Sequence, residues 1–335
     1  MLAEHPVVRR LLASREPAIR YKARVDILGE SPASTPLKAL AREIAASRLA
    51  RRLLRLQRTD GRIVTSPQRG QTHPYQKWQG PDFTLVCLAE IGYPSGTRRL
   101  APMRDQFYEW LLAPSHLQIP HTLILPGQED RVRRCGGQEG YAVWYSLKLG
   151  IADERTELLV DRLRGWQWPD GGWNCDGRPA ARLSSLHETW IPIRALALHG
   201  RLRKDRRSTD AAERAADVLL RRRLFLGARS GKVIDPKFLR VQYPHFYPYN
   251  ILAGLKTLAE AGFVRDPRCA EALDLLEAKR LRDGGFPLEQ KNYVTSPNAV
   301  RTRGTSADWG PSGRARSNEF VTADALHILK AAGRL

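Results

Sequence analysis

The sequence predicts an all-α chain of repeated helical hairpins that close into a ring. Three observations carry this. Apolar residues recur at three- and four-residue steps through long stretches of chain. Five of those stretches end in a glycine, at similar intervals. An Asp-Gly turn returns at about twice that interval, and strand signals are nearly absent.

The five apolar stretches are Leu85–Gly92, Tyr141–Gly150, Trp190–Gly200, Ile251–Gly262 and Phe320–Gly333, with terminal glycines 58, 50, 62 and 71 residues apart. A glycine in that position can take the left-handed conformation that stops a helix. Second helical stretches carry a charged face, as in Arg42–Leu56, Arg155–Trp166, Asp210–Leu224 and Arg268–Leu281. The predicted unit is an outer amphipathic helix, a long loop and a more apolar inner helix. Val7–Leu12 and Ile19–Leu28 form a shorter pair at the start. The expected division is a helical extension over 1–36 and a ring domain over 37–335. Asp60-Gly61, Asp170-Gly171-Gly172 and Asp283-Gly284-Gly285 lie 110 and 113 residues apart, about two hairpins each. Asp-Gly supplies a tight turn with a positive backbone dihedral. Stacked hairpins of this period bury both ends of the stack when they close on themselves.

Composition excludes several classes. Of 335 residues 42% are hydrophobic, enough to bury a large core, so the chain is neither disordered nor fibrous. No run approaches the roughly 18 apolar residues of a membrane span, and the first residues lack a basic-then-apolar leader. Four scattered cysteines suggest a reduced, cytoplasmic protein. The 55 Lys and Arg against 35 Asp and Glu give a charge of +20, and a pI near 10.3 invites a nucleic-acid partner. Yet 44 of the 55 are Arg, a bias that base composition alone can produce. The densest groups, Arg201–Arg207 and Arg221–Arg223, fall in one hairpin and its entering turn, so a single basic patch is expected there.

The segment Gln167-Trp168-Pro169-Asp170-Gly171-Gly172-Trp173 fits the Gln-any-any-any-Gly-any-Trp repeat of squalene cyclases. Gln57 to Ile63 keeps the Gln and Gly without the aromatic, and Arg280 to Phe286 keeps the Gly and an aromatic without the Gln. By these repeats, over roughly residues 37–333, the chain resembles the squalene-cyclase and protein-prenyltransferase superfamily. That resemblance implies an α/α toroid, a ring of about five to six hairpins around a central cavity. In it Trp173 and Phe286 would brace neighbouring repeats. It also implies a cavity rim built from the segments that head the inner helices. Trp78, Phe83, Tyr141, Trp144, Trp190, Phe246, Tyr247, Tyr249 and Trp309 fall there. Ring faces suit an apolar or cationic guest, or pack as ordinary core. The resemblance does not carry polyene cyclisation, because the Asp-any-Asp-Asp motif and the Asp-rich metal loops are missing.

Prenyltransferases hold zinc with Asp, Cys and His. Here Cys135, Cys175 and His187 are the corresponding candidates, although Cys175 directly precedes Asp176 and the family spacing is lost. The acid–base candidates are Glu139, Asp176, Glu188 and His245. Glu139 and Glu188, with Glu319, stand at inner-helix starts, where a carboxylate also serves as a cap. His245 sits among two prolines and four rings in Tyr243 to Tyr249. The loop Asn292–Asn318, with Arg301, Arg303, Arg314 and Arg316, is expected as a lid or an anion clamp. The favoured function is binding, with or without transformation, of an isoprenoid-like or other apolar or cationic small molecule in the central cavity. The alternatives are a zinc-dependent transferase or hydrolase, and a non-catalytic basic scaffold for nucleic acid or an acidic partner.

Overall fold

The computed structural model describes residues 2–64, 74–117, 124–125, 128–132, 134–176, 181–296 and 304–335. The chain is all-α and winds as six hairpins. The first pairs α1 (Pro6–Leu12) with α2 (Pro17–Lys22), which widens into a looser turn over Ala23–Ile27. The second joins α3 (Thr35–Ala46) and α4 (Arg48–Leu53) to α5 (Pro81–Glu90). The third joins α6 (Ala101–Leu111) and short α7 (Pro114–Leu117) to α8 (Gly136–Lys148). Then follow α9 (Glu154–Gly165) with α10 (Leu186–Arg203), α11 (Arg206–Arg221) with α12 (Ile251–Ala261), and α13 (Ala270–Glu277) with α14 (Glu319–Ala331). Two small ladders decorate the loops: β1 (Ile124–Leu125) against β2 (Gln128–Val132), and β3 (Val294–Thr295) against β4 (Gly304–Thr305).

The inner helices touch in the order α5, α8, α10, α12, α14 and then α2, and Lys22 of α2 reaches Glu90 of α5. The circle is therefore closed: the structure is an α/α toroid. Residues 1–36, set apart above as an extension, supply α1 and α2 between α14 and α5. Arg10 meets Asp283 and Ser14 donates to Glu319, stitching the first hairpin to the sixth. Inner helices are apolar nearly all round because both faces are covered; every residue of α5 is buried. Asn250, Ser185 and Asn318 side chains accept backbone N–H groups at the starts of α12, α10 and α14.

The repeat signal has a direct structural meaning. In all three Asp-Gly turns the same two backbone bonds recur: Arg58 N to Arg62 O, Trp168 N to Gly172 O and Leu281 N to Gly285 O, each closed by the glycine N–H three residues on. Gly61, Gly171 and Gly284 have φ of +83°, +104° and +77°, the left-handed region. The Gln167 amide donates to Gly171 O (2.7 Å) and to Ala211 O (2.8 Å) in the next outer helix. Gln57 does the same to Gly61 O and Arg99 O. In the third turn, which lacks the Gln, Arg10 donates to Asp283 O instead. Trp173 packs on Gly136 of the preceding inner helix and donates to Leu163 O.

Two expectations need correcting. Gly200 does not stop its helix: α10 runs on to Arg203, and Lys204 takes the left-handed cap with φ +54°. Gly200 is instead a point of close approach, since a Cβ there would strike Thr209 of α11. Finally, Arg201–Arg207 and Arg221–Arg223 lie at opposite ends of 16-residue α11, so they are about 24 Å apart and form no single patch.

Candidate functional site

The inner helices start at one rim, and the loops before them fold inward. The segment 241–250 dips into the ring. Phe246 meets Trp78, Phe83 and Tyr141 at centroid distances of 5.6, 5.1 and 5.1 Å, and Trp190 stands edge-on to Tyr141 at 6.0 Å. Trp309 packs against Tyr243 and Phe320, and Tyr249 donates to Leu224 O. Much of the predicted aromatic wall is thus the packed centre of the ring, with rings stacked on one another.

Beneath this plug runs a buried ionic axle that the sequence reading missed. Lys22 Nζ lies 2.7 Å from Asp324 Oδ1, and Lys256 lies 3.4 Å from the same carboxylate and 2.9 Å from Glu260. Arg194 grips Glu260 with two bonds of 2.7 and 3.0 Å, reaches Glu90 at 2.6 Å and stacks over Trp144 at 4.1 Å. Every inner helix contributes a side chain. His245, one of the acid–base candidates above, joins here: its Nε2 is 2.7 Å from Asp324 Oδ2. Burial alone would raise the Asp324 and Glu260 carboxyls, but the facing cations hold both well below the usual range. The signal that could have found the axle is a lone charge inside each apolar inner stretch, such as Asp324 in Phe320–Leu329.

Two further acids stand apart. Glu139 is fully buried, 3.3 Å from Arg162 and 3.6 Å from His116. Asp82, at the start of α5, was not singled out from the sequence. It is buried, with no hydrogen-bond partner for either oxygen among the described residues, and burial, then the nearby Glu139, push its carboxyl well above the usual range.

The remaining candidates converge. A pocket of about 200 Å³ opens on the rim between α8 and α10, lined among others by Tyr75, Cys135, Tyr141, Cys175, Asp176, His187, Glu188 and Tyr247. Glu188 is the centre of it. It caps the neighbouring helix rather than its own: Oε2 accepts the Gly137 N–H at 3.2 Å, while Oε1 accepts from Cys175 at 3.3 Å. The Cys175 thiol also bonds Cys135, and that contact, with burial and Glu188, raises the Cys135 thiol well above its usual value. Glu188 is only 7% exposed, and burial raises its carboxyl despite those bonds. His187 turns toward the Phe238, Tyr247 and Tyr249 rings, and burial lowers its pKa. Among the described residues no three His, Cys, Asp or Glu side chains are grouped to hold a metal, so Cys135, Cys175 and His187 share a wall without converging as zinc ligands. Residues 177–180, which complete the Cys175 loop, and Arg301 and Arg303 of the proposed clamp lie outside the described residues.

No family model matches the chain, and no curated protein matches it. Among solved structures it is similar to a crystallised protein from Actinoplanes, at 17% identity and a TM-score of 0.45, over 98% of both chains. It is also similar to the unsaturated glucuronyl hydrolase of Bacillus sp. GL1, described as responsible for the degradation of glycosaminoglycan. That likeness has 12% identity and a TM-score of 0.41, over 94% of this chain and 84% of that one. At such distances nothing of either protein's chemistry transfers. Among the described residues no helix is long and apolar enough to cross a membrane.

Proposed function

We propose that the protein binds a small organic cation in the rim pocket between α8 and α10, with Glu188 as the counter-charge. One observation carries the reading: a nearly buried carboxylate, fixed by the Gly137 N–H and the Cys175 thiol, faces a pocket walled by Tyr75, Tyr141 and Tyr247. Ring faces and a desolvated carboxylate together favour a cation over a neutral molecule of equal shape. Size narrows the class. At about 200 Å³ the pocket is below the roughly 300 Å³ at which drug-sized ligands begin, which favours a compact head group over a long prenyl chain. The isoprenoid expectation therefore contracts to its cationic part. The kinship with squalene-cyclase and prenyltransferase repeats stands as part of this proposal, supported by the matched Gln57 and Gln167 turns. A cytoplasmic setting fits the four free cysteines.

Calorimetric titration with choline and with its neutral isostere 3,3-dimethylbutanol tests the proposal. Choline should bind more tightly. The raised Glu188 carboxyl is neutral at low pH and ionises as pH rises, so choline affinity should climb from pH 5 to 8 while the alcohol's stays flat. Glu188→Gln, which keeps an acceptor for Gly137, should cost about tenfold for choline only. Equal binding of the two probes, or no binding of either, would sink the reading.

A further inference from the structure

On the far side of Tyr247 from the rim pocket lies an open groove of about 580 Å³, lined by Lys77, Trp78, Lys237, Tyr247, Pro248, and the run Gln290 to Val294, which includes Lys291. We propose that this groove is a second binding site, for a phosphate group carried on an organic body.

Its lining holds three lysines and no acid. Among the described residues none of the three forms an ion pair. Lys77 rests on the Tyr247 ring at 3.2 Å and Lys291 lies 5.8 Å from the Tyr293 ring, contacts that leave the ammonium charge unneutralised. Two acids adjoin the groove in sequence without lining it. Asp235 accepts the backbone N–H of Lys237 at 2.8 Å, and Glu289 accepts from Val241 N and pairs with Lys279. The contrast with the larger cavity at the opposite rim is informative. That one, about 610 Å³, sets Lys22, Lys38, Arg42, Lys148 and Lys256 against Asp26, Glu90 and Glu260, and much of its charge is cancelled on site. Among the described residues that line it, the lysine groove holds no carboxylate. Three compact cations with rotatable donors suit a dianionic phosphate better than a single carboxylate, and the Gln290 and Asn292 side chains add neutral polar groups. The half-exposed Tyr247 and the flanking Val294 offer apolar surface to the body that carries the phosphate.

A free phosphate monoester is dianionic, whereas each linkage of a nucleic-acid strand is a singly charged diester, and binding measurements separate them. Phenyl phosphate, adenosine monophosphate and a ten-nucleotide oligo(dT) are titrated at about 20 mM and about 200 mM salt, with phenol and adenosine as neutral controls. The site predicts binding of phosphate probes but not of the controls, weakening with salt. Lys237→Ala and Lys291→Ala, both surface changes, should each weaken phosphate binding roughly fivefold and together more, while leaving choline titration of the rim pocket unchanged. Binding of phenyl phosphate and adenosine monophosphate upholds the site, with or without oligo(dT), and binding of oligo(dT) alone overturns it, because a diester lacks the second charge. Absence of any phosphate binding at low salt, or binding indifferent to the double variant, overturns it. A failed choline experiment leaves this outcome untouched, since neither lysine lines the rim pocket.

Discussion

Asp82 shows what a single side chain can cost a fold. Its carboxyl is held above its unfolded value, so the native state prefers it protonated. The stabilisation is complete below the unfolded pKa near 4 and is lost as pH rises toward the folded value. Asp82→Asn should therefore raise the melting temperature at pH 7 to 8, have little effect near pH 4, and flatten the profile between them; an unchanged pH profile would contradict the placement. Gln167 works in the opposite direction. Gln167→Ala removes the bond to Gly171 O within the turn and the two that tie the turn to α11, to Ala211 O and from Arg214, and should cost about 1–3 kcal/mol in urea unfolding, with an unchanged helical spectrum. Gln167 was legible because a motif carried it. Glu188, Cys135, Cys175 and His187 were legible as candidates because polar residues at inner-helix starts are conspicuous. Asp82 was not, since an acid just after Gly80-Pro81 looks like any helix beginning, and only burial distinguishes it.

Among the helices, close approach rather than propensity decides the packing. Gly140 on α8 faces α10 so closely that an added Cβ would lie 2.9 Å from Ile191 Cγ2 and 3.0 Å from the Pro192 backbone nitrogen. Gly140→Ala should improve helix propensity yet destabilise by about 1–3 kcal/mol, because the backbone of α10 must move. Denaturant midpoints of the variant and of an exposed control, Gly165→Ala, check the sign. The sequence foresaw the inner helices well, and Gly92, Gly150, Gly262 and Gly333 all adopt positive φ. It misread Gly200 because a glycine that ends a helix and one that admits a neighbouring helix look alike in one dimension. Its signal is weaker for α6, whose buried face mixes Arg104 and Gln106 with Met103, Phe107 and Tyr108 and so blurs the apolar stripe.

For the molecule as a whole, the ionic axle ties five inner helices by charge and the sixth through the Trp144 ring. Its carboxylates are depressed, so their contribution is full above pH 4 and disappears as the solution is acidified through their folded values. The melting temperature should fall steeply below about pH 4. Lys22→Met strips Asp324 of its nearest cation and should cost about 3–5 kcal/mol, read from urea unfolding at pH 7. The ring closure itself was legible only in outline. The period of the helices announces stacking, but which hairpin meets which is decided by pairs such as Lys22 with Asp324, 302 positions apart, that no local pattern encodes.

A closed circle of hairpins has no privileged starting point. Outer helices climb and inner helices descend, so the chain begins and finishes at the same face, on adjacent spokes. Joining those two ends through a short flexible tether and reopening the chain at the turn around Gly96 should yield a permuted protein with the same wheel. The order of its spokes along the gene would change while the hub stayed as it is.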